Sequence, residues 1–557
     1  MELLKRSLIL ALIFVISTSA SFGLELSATA GNDHGSSSTD VVYGATVSDY
    51  ANQNIKLNPN EGTLSNAYSG SGSLPSSSIS RKDSKGNYVY VSRSVSGKPG
   101  TTTWSYDWNT YAPYSSKAGY GVGAQLWLSA YNAYSISGAG YAKNAEGDTA
   151  DASISVGSSY PSTTSSLSNY YVNPTAFTNE ARVYQKADYA TSTGRIITQG
   201  KSRNLENDYS WASIDIPSGT VSKPTTNVYS DKSSGWVYPT ASSVYTTKAG
   251  GLNAYASNSE GDISNLYAKV DHGRITNPQF YSWSGKAFAE TWASIPSMYG
   301  KTAEITSQGK DKALGYQEHW VWNSEKKDWD RIKTKVSRGE GDFVAKRTNN
   351  YAFNNVAVTT RATKSDVEIT TSGFGPKTAL ILDPRRWEFV TDVGGKEIFS
   401  PISTALKNKG YAVTYYSDSA VSKDKVKKMD EYYVSAIHTH ASPSSIYLSK
   451  SSNGNSWDTM SASELKPAYT NYNGMALILG CNTFKDTGSG TWADATNKAK
   501  VRGGTTSSWS ITYGRDYTNK FFTSMGKGNS AGYSDLEAST FGLNPRQKLL
   551  GDTNFKL

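Results

Sequence analysis

A period-two alternation of apolar and polar positions, interrupted by clusters of Gly, Asn, Asp and Ser, runs through the first two thirds of the chain. Successive side chains of a strand point to opposite faces, so the pattern predicts short strands with polar outer faces. Asn87-Tyr88-Val89-Tyr90-Val91 is one such run, and over 288–295 Phe288 and Trp292 share one face while Ala289, Ala293 and Ile295 share the other. The serine patches 36–38 and 76–80 lack the alternation and predict disorder. The pattern also recurs over a period of about 110 residues, the mark of tandem modules. Glu146-Gly147-Asp148 returns as Glu260-Gly261-Asp262, Asn173-Pro174 as Asn277-Pro278, and a Gln199-Gly200-Lys201 turn with Leu205 and Trp211 as Gln308-Gly309-Lys310 with Leu314 and Trp320. A third Glu340-Gly341-Asp342 opens a shorter, incomplete unit. One Glu and one Asp around a Gly offer too few oxygens for a calcium shell, so these are read as turns.

After Gly373-Phe374-Gly375-Pro376 the period changes. Apolar runs at 378–382, 411–416, 432–437 and 475–479 alternate with amphipathic stretches, one carrying Ile398, Ile402 and Leu406 before a stop at Lys409-Gly410, another at 421–429. Strand and helix in alternation imply a mostly parallel sheet covered by helices. The expected fold is therefore multidomain, with N-terminal all-β tandem modules followed by a C-terminal α/β domain. Its expected parts are a leader at 1–23, a Ser/Gly/Tyr-rich β region at 24–120, β-repeat modules at 121–235 and 236–345, a short β unit and connection at 346–376, and the α/β domain at 377–557.

Composition sharpens this picture. A length of 557 residues exceeds what one core supports. The net +9 comes from 56 basic and 47 acidic residues without a basic stripe, so no nucleic-acid partner is expected. Aromatics at 12%, with 38 Tyr and 49 Gly, favour β-structure over a charge-rich disordered chain. The lone Cys481 allows neither an intrachain disulfide nor a cysteine-cluster metal site; no metal or other cofactor is expected, and the thiol becomes a candidate for chemistry. Lys5 and Arg6, an apolar core over 8–16 and Thr18-Ser19-Ala20 read as a secretory signal, with an uncleaved anchor as the alternative. No later segment is apolar enough to span a bilayer, and no Asn-x-Ser/Thr lacks Pro at x, so the expected location is extracellular or cell-surface without N-glycans.

Two reactive residues fall at predicted strand ends, where parallel sheets bind ligands. The third apolar run leads into His438-Thr439-His440-Ala441 and the fourth into Gly480-Cys481-Asn482-Thr483. An imidazole on a neighbouring strand end can deprotonate a thiol and make it a nucleophile.

A hydrophobic strand ending in His and a small residue, followed by a hydrophobic strand ending in Cys, resembles the caspase-like cysteine peptidases of clan CD, which include caspases, gingipains, separases and CHAT domains. Arg502-Gly503-Gly504 through Ser508-Trp509-Ser510-Ile511 resembles their fifth strand, and Phe521-Phe522 to Met525-Gly526 with Gly528 the following helix and turn. The resemblance covers 377–539 and implies Cys481 as nucleophile, His440 as base with His438 as rival, and backbone N–H groups at Ala441 and Cys481 as the oxyanion donors. Ala441 stands where the family has Gly, and Gly480 where many members have Ala. By position, Asp383, Arg385, Arg386 and Trp509 are substrate-pocket candidates; Asp383 implies a basic residue before the cleaved bond and the arginines an acidic one, while a plain Asp-Pro turn with solvated arginines is the competing reading. The first two thirds resemble, in composition only, prokaryotic surface-layer and sheath proteins, including archaeal ones. The expected function is an exported envelope protein whose low-charge β-repeats associate with copies of itself by amyloid-like stacking, and whose caspase-like domain acts on protein substrates. The alternative is a freely secreted cysteine endopeptidase whose repeats bind substrate or a surface through Tyr and Trp.

Overall fold

The computed structural model describes residues 23–557 except 33–34, 45–50, 59–62, 72–73, 84–85, 98–99, 111–121, 158–163, 233, 287, 324–327, 349–351, 364–366, 373–376, 387–398, 451–456, 472, 509–510 and 540–546. The molecule is mostly β, with most strands joined in one large mixed sheet. From Gly23 onward the chain lays hairpins alternately into two facing layers. The first layer receives Gly23–Asn32 with Gly35–Gly44, the second Ala51–Asn58 with Thr63–Ser71, the first Leu74–Asp83 with Tyr88–Ser96, the second Thr102–Thr110 with Val122–Ala133, and so on. Each new hairpin pairs antiparallel with the previous one in its own layer, as Tyr88–Ser96 does with Ser135–Lys143. The serine patches 36–38 and 76–80 thus lie inside strands, because backbone pairing on both sides supplies what their side chains do not.

The alternation explains the core. Val89, Val91 and Val95 face Leu126 and Leu128 of the other layer, and one buried cluster continues through Ile154, Val183, Ile214 and Val228 to Val358. As expected, Ala289, Ala293 and Ile295 are inside and Phe288 and Trp292 are not. Outward aromatics stack from strand to strand, as Tyr106, Trp127 and Tyr171 do at 5.6 and 4.8 Å.

One rim of the stack is built from a recurring five-residue turn: Asn144-Ala145-Glu146-Gly147-Asp148, Asn204-Leu205-Glu206-Asn207-Asp208 and Asn258-Ser259-Glu260-Gly261-Asp262. Their spacing shows that the structural unit is about half the period read from sequence. The fourth residue has positive φ in each, 108° at Gly147, 70° at Asn207 and 88° at Gly261, so only Gly or Asn fits readily. The first Asn folds back on its own turn: Asn144 Oδ1 accepts from the Asp148 N–H at 2.8 Å while its Nδ2 donates to Asp148 Oδ2 at 2.6 Å. The Asp then reaches the next repeat, Asp148 Oδ1 accepting from Leu205 N at 2.7 Å and Asp208 Oδ1 from Ser259 N at 2.7 Å. At the opposite rim the chain crosses between layers through Tyr189–Ser192, Gly219–Ser222 and Ser243–Thr246, which pair in a strip of their own.

Several expectations change. Gln199-Gly200-Lys201 lies within strand Arg195–Arg203, not in a turn. Asn173-Pro174 is in the middle of Ser165–Phe177, whereas Asn277-Pro278 is a bend whose counterpart is Lys223-Pro224. Glu340-Gly341-Asp342 lies in the long strand Asp328–Thr348, because Arg338 stands where the turns have Asn. The boundaries at 235/236 and 345/346 fall inside strands Ser234–Thr240 and Asp328–Thr348, and 120/121 falls outside the described residues.

The first layer does not stop at the last hairpin. Gly341–Ala345 pairs antiparallel with Ala412–Tyr416, and from there the sheet runs parallel in the order Ala412–Ser417, Thr378–Asp383, Val434–His438, Met475–Leu479 and Val501–Thr505, closed by antiparallel Gln547–Gly551. Ser400–Asn408, Ile511–Gly526 and Ala531–Ser539 are helices. The strands here are apolar on both faces: Ala379, Ile381 and Leu477 pack with Ile402, Leu406, Phe521 and Phe522, while Leu380, Leu382 and Ile478 pack with Val426, Met429 and Trp492.

A candidate cysteine and histidine site

Val434–His438 and Met475–Leu479 are neighbours, with His438 in register with Leu479. The segments leaving them therefore emerge side by side at the carboxyl edge of the sheet. Thr439 N donates to Leu479 O at 3.0 Å, Tyr447 N donates to His440 O at 2.9 Å, and Ala441 bridges to Ile446. Thr439 Oγ1 also donates to Tyr447 O. His440 thus sits on a bend held on both sides, partly exposed.

Cys481 stands at the first position of an equally constrained turn. Gly480 O accepts from Thr483 N at 3.4 Å, from Thr483 Oγ1 at 3.2 Å, and from Thr505 Oγ1 on the next strand. The Thr483 hydroxyl shares its one proton between Gly480 O and the nearer Ile478 O at 2.7 Å, and accepts from Thr505 N at 3.0 Å. Asn482 takes a positive φ of 60°, which turns the chain sharply just after the partly exposed Cys481. These threonines have no motif to mark them in the sequence; the small residues of Arg502-Gly503-Gly504-Thr505 are the nearest signal, since a Cβ on Gly504 would lie 2.3 Å from Phe484 Cδ2.

The two bends touch at Gly480. A Cβ there would lie 2.4 Å from Thr439 O and 2.6 Å from the Ala441 Cβ. A methyl at 480 would meet the Thr439 carbonyl oxygen first and the Ala441 methyl second, so the two departures from the expected family pattern are coupled in part.

His438 and His440 occupy different environments. His438 is 2% exposed on the face covered by helix Ser400–Asn408, with its ring edge-on to Phe399 at 6.0 Å. Burial, and then the nearby His440, push its pKa down to about 3, so it stays neutral at ordinary pH. Of the two rings, His440 is the partly exposed one.

The pocket candidates separate. Asp383 ends Thr378–Asp383, two strands or about 10 Å across the sheet from the strand that leads to Cys481. It is buried and accepts from Tyr415 OH at 3.2 Å. Tyr415 is pushed well above its ordinary value, first by burial and then by the Asp383 charge. Arg385 is buried, and Arg386 reaches to Glu340 at 3.1 Å, a carboxylate that Lys310 also approaches at 3.5 Å. Glu340 lies 46 residues from Arg386, and nothing in the sequence joins them. Trp509 lies outside the described residues.

No family model and no curated protein matches the chain. Among the solved structures that match is the Saccharomyces cerevisiae separase–securin complex, at 13% identity over 32% of this chain and 12% of that one, with a TM-score of 0.24. This chain thus spans about an eighth of that chain's length.

Proposed function

We propose that the protein is an exported component of a surface layer or sheath, in which the two-layer β stack carries a caspase-like cysteine peptidase. The observation that supports the peptidase most is the meeting of the His440 and Cys481 bends at Gly480, at the carboxyl edge of adjacent parallel strands. In the reaction His440 takes the proton of Cys481, and the thiolate attacks the carbonyl carbon of a peptide bond. The backbone N–H groups of Ala441 and Cys481 receive the oxyanion. The imidazolium returns its proton to the leaving amine, and water, deprotonated by His440, then hydrolyses the thioester. With Arg386 engaged by Glu340 and the buried Asp383 accepting from Tyr415 OH, neither pocket expectation is adopted, and the residue preferred before the cleaved bond is left to substrate libraries.

The test uses the single thiol. A thiol-alkylating probe is applied to the folded protein from pH 5 to 9, alongside His440→Ala, His438→Gln and the unfolded chain. Activation by His440 gives rapid labelling at low pH that is lost in His440→Ala and kept in His438→Gln. Labelling no faster than in the unfolded chain sinks the proposal.

A further inference from the structure

We infer that the amino-terminal end of the stack is an interface with a second copy of this chain, joined edge to edge in both layers at once. Among the described residues, Gly23–Asn32 pairs only with Gly35–Gly44, and Ala51–Asn58 only with Thr63–Ser71. The outer edge of each strand is a row of backbone N–H and C=O groups that can take another strand. Because the chain deposits one hairpin per layer in strict turn, these two first strands lie at the same end of the stack.

These edges carry few of the features that keep natural edges single. Gly23–Asn32 carries one charge, Glu25, and Ala51–Asn58 one, Lys56; neither contains Pro, and neither hairpin has a register shift. Protected edges usually carry Lys, Pro or a bulge that blocks further pairing.

The far end cannot serve as the partner. There the first layer runs on into the parallel strands through Gly341–Ala345. The last second-layer strand, Val367–Ser372, faces a cleft of about 960 Å³ whose other wall includes Lys425, Lys428, Asp430 and Tyr432. The second layer stops at that cleft while the first runs on to Gln547–Gly551, so the far end is not a two-layer stack end and the matching surface is a second amino-terminal end.

A two-fold axis normal to the layers sets each first strand against its own copy, antiparallel, in both layers at once. Inward residues stay inward only when paired positions are an even number apart, because strand faces alternate. The most overlapped registers of that kind centre on Ser27 or Ala28 in one layer and on Asn54 or Ile55 in the other. Glu25 then meets Thr29 or Gly31, and Lys56 meets Asn52 or Asn54, so no like charges are opposed. The joint repeats the antiparallel pairing already used within each layer.

The inference does not depend on the peptidase, and its test leaves Cys481 out. The protein lacking residues 1–22, with Cys481→Ser, is studied by light scattering from nanomolar to tens of micromolar concentrations, with Ser27→Cys or Ala28→Cys added singly and Asp552→Cys as a control at the far end. Twice the monomer mass is expected at the high end, without further growth. One of the first two cysteines, whichever lies on the axis, is expected to give a disulfide-linked dimer at least tenfold faster than Asp552→Cys. Ser27→Lys with Asn54→Lys, which sets lysines close together across the axis in every allowed register, is expected to weaken the dimer at least tenfold while leaving the far-ultraviolet circular dichroism unchanged. A monomer throughout, masses that keep rising with concentration, or no preference among the three cysteines would each overturn the inference.

Discussion

The rim turns allow a calculation from bond counts. Asp148 is fully buried, and its carboxylate receives two backbone donors from other segments, Leu205 N at 2.7 Å and Asn179 N at 3.0 Å, besides the Asn144 side chain at 2.6 Å. Asp208, also buried, receives one such backbone donor, Ser259 N at 2.7 Å, besides Asn204 at 2.7 Å. A buried donor left without its acceptor costs about 1–3 kcal/mol. Leu205 and Ser259 are exposed and their amides can turn to water, so each backbone donor counts toward the low end: Asp148→Ala is expected to cost about 2–4 kcal/mol and Asp208→Ala about 1–3, a difference of about one orphaned backbone N–H. Burial pushes the Asp148 pKa up, so losing a desolvated carboxylate returns part of that cost and places the first figure toward its lower half. Exposed Glu146 in the same turn is the control, and Glu146→Ala should stay within about 0.5 kcal/mol. Urea unfolding followed by tryptophan fluorescence gives the totals, and amide hydrogen exchange gives the location: Asp148→Ala should expose the amides of Leu205 and Asn179 but not Ser259, and Asp208→Ala the reverse. Equal costs for the two aspartates, or unchanged protection at Leu205, would refute the reasoning.

Gly480→Ala should slow thiol labelling and destabilise, while adding Ala441→Gly should recover about 0.5–1 kcal/mol of the loss, the Thr439 carbonyl oxygen keeping the rest, read as the coupling in a double-mutant cycle. His438 carries a folded pKa of about 3, below its ordinary value. Stability from keeping it neutral is complete above about pH 6.5 and is lost as pH falls toward 3, so His438→Gln should remove a slope approaching about 1.4 kcal/mol per pH unit between about pH 6 and 4. Arg93 and Asp107 form a buried ion pair across the two layers at 3.1 Å, with side chains 0% and 2% exposed. Arg93→Met alone should cost about 3–5 kcal/mol in urea unfolding, whereas Arg93→Met with Asp107→Leu should lie within about 1 kcal/mol of the parent or above it.

Much of the local structure was legible because one face of every strand is buried. Val89 and Val91, or Ala289 and Ala293, point inward on the alternation alone. The strand at Met475–Leu479 and the helix Ser400–Asn408 were likewise legible, the second from Ile402 and Leu406 and the stop at Gly410, whose φ is 81°. The layering was not legible, since hairpins of both layers share the same period-two pattern and nothing marks which layer receives each one. The true repeat was hidden by Asn207, which does in one turn what Gly147 and Gly261 do in the others, and by Glu340-Gly341-Asp342, the same tripeptide without the Asn that folds the turn. At the candidate site the sequence placed His440 and Cys481 at strand ends. The exchange of a methyl between positions 441 and 480, and the capture of Arg386 by Glu340, depend on contacts between segments far apart in the chain.

The pairing of Gly341–Ala345 with Ala412–Tyr416 makes the stack a ruler. Twelve successive pairings separate Gly23–Asn32 from Ala412–Ser417 without a break in the hydrogen-bonded sheet. At about 4.8 Å each they set a contour of about 58 Å between the amino-terminal strand and the edge of the parallel strands. A peptide tether of the same span lets its cargo sample a wide range of distances, whereas a paired sheet fixes one. Whatever holds the amino-terminal end therefore also sets how far from it Cys481 stands, and adding or deleting one two-hairpin repeat would move that distance by about 10 Å.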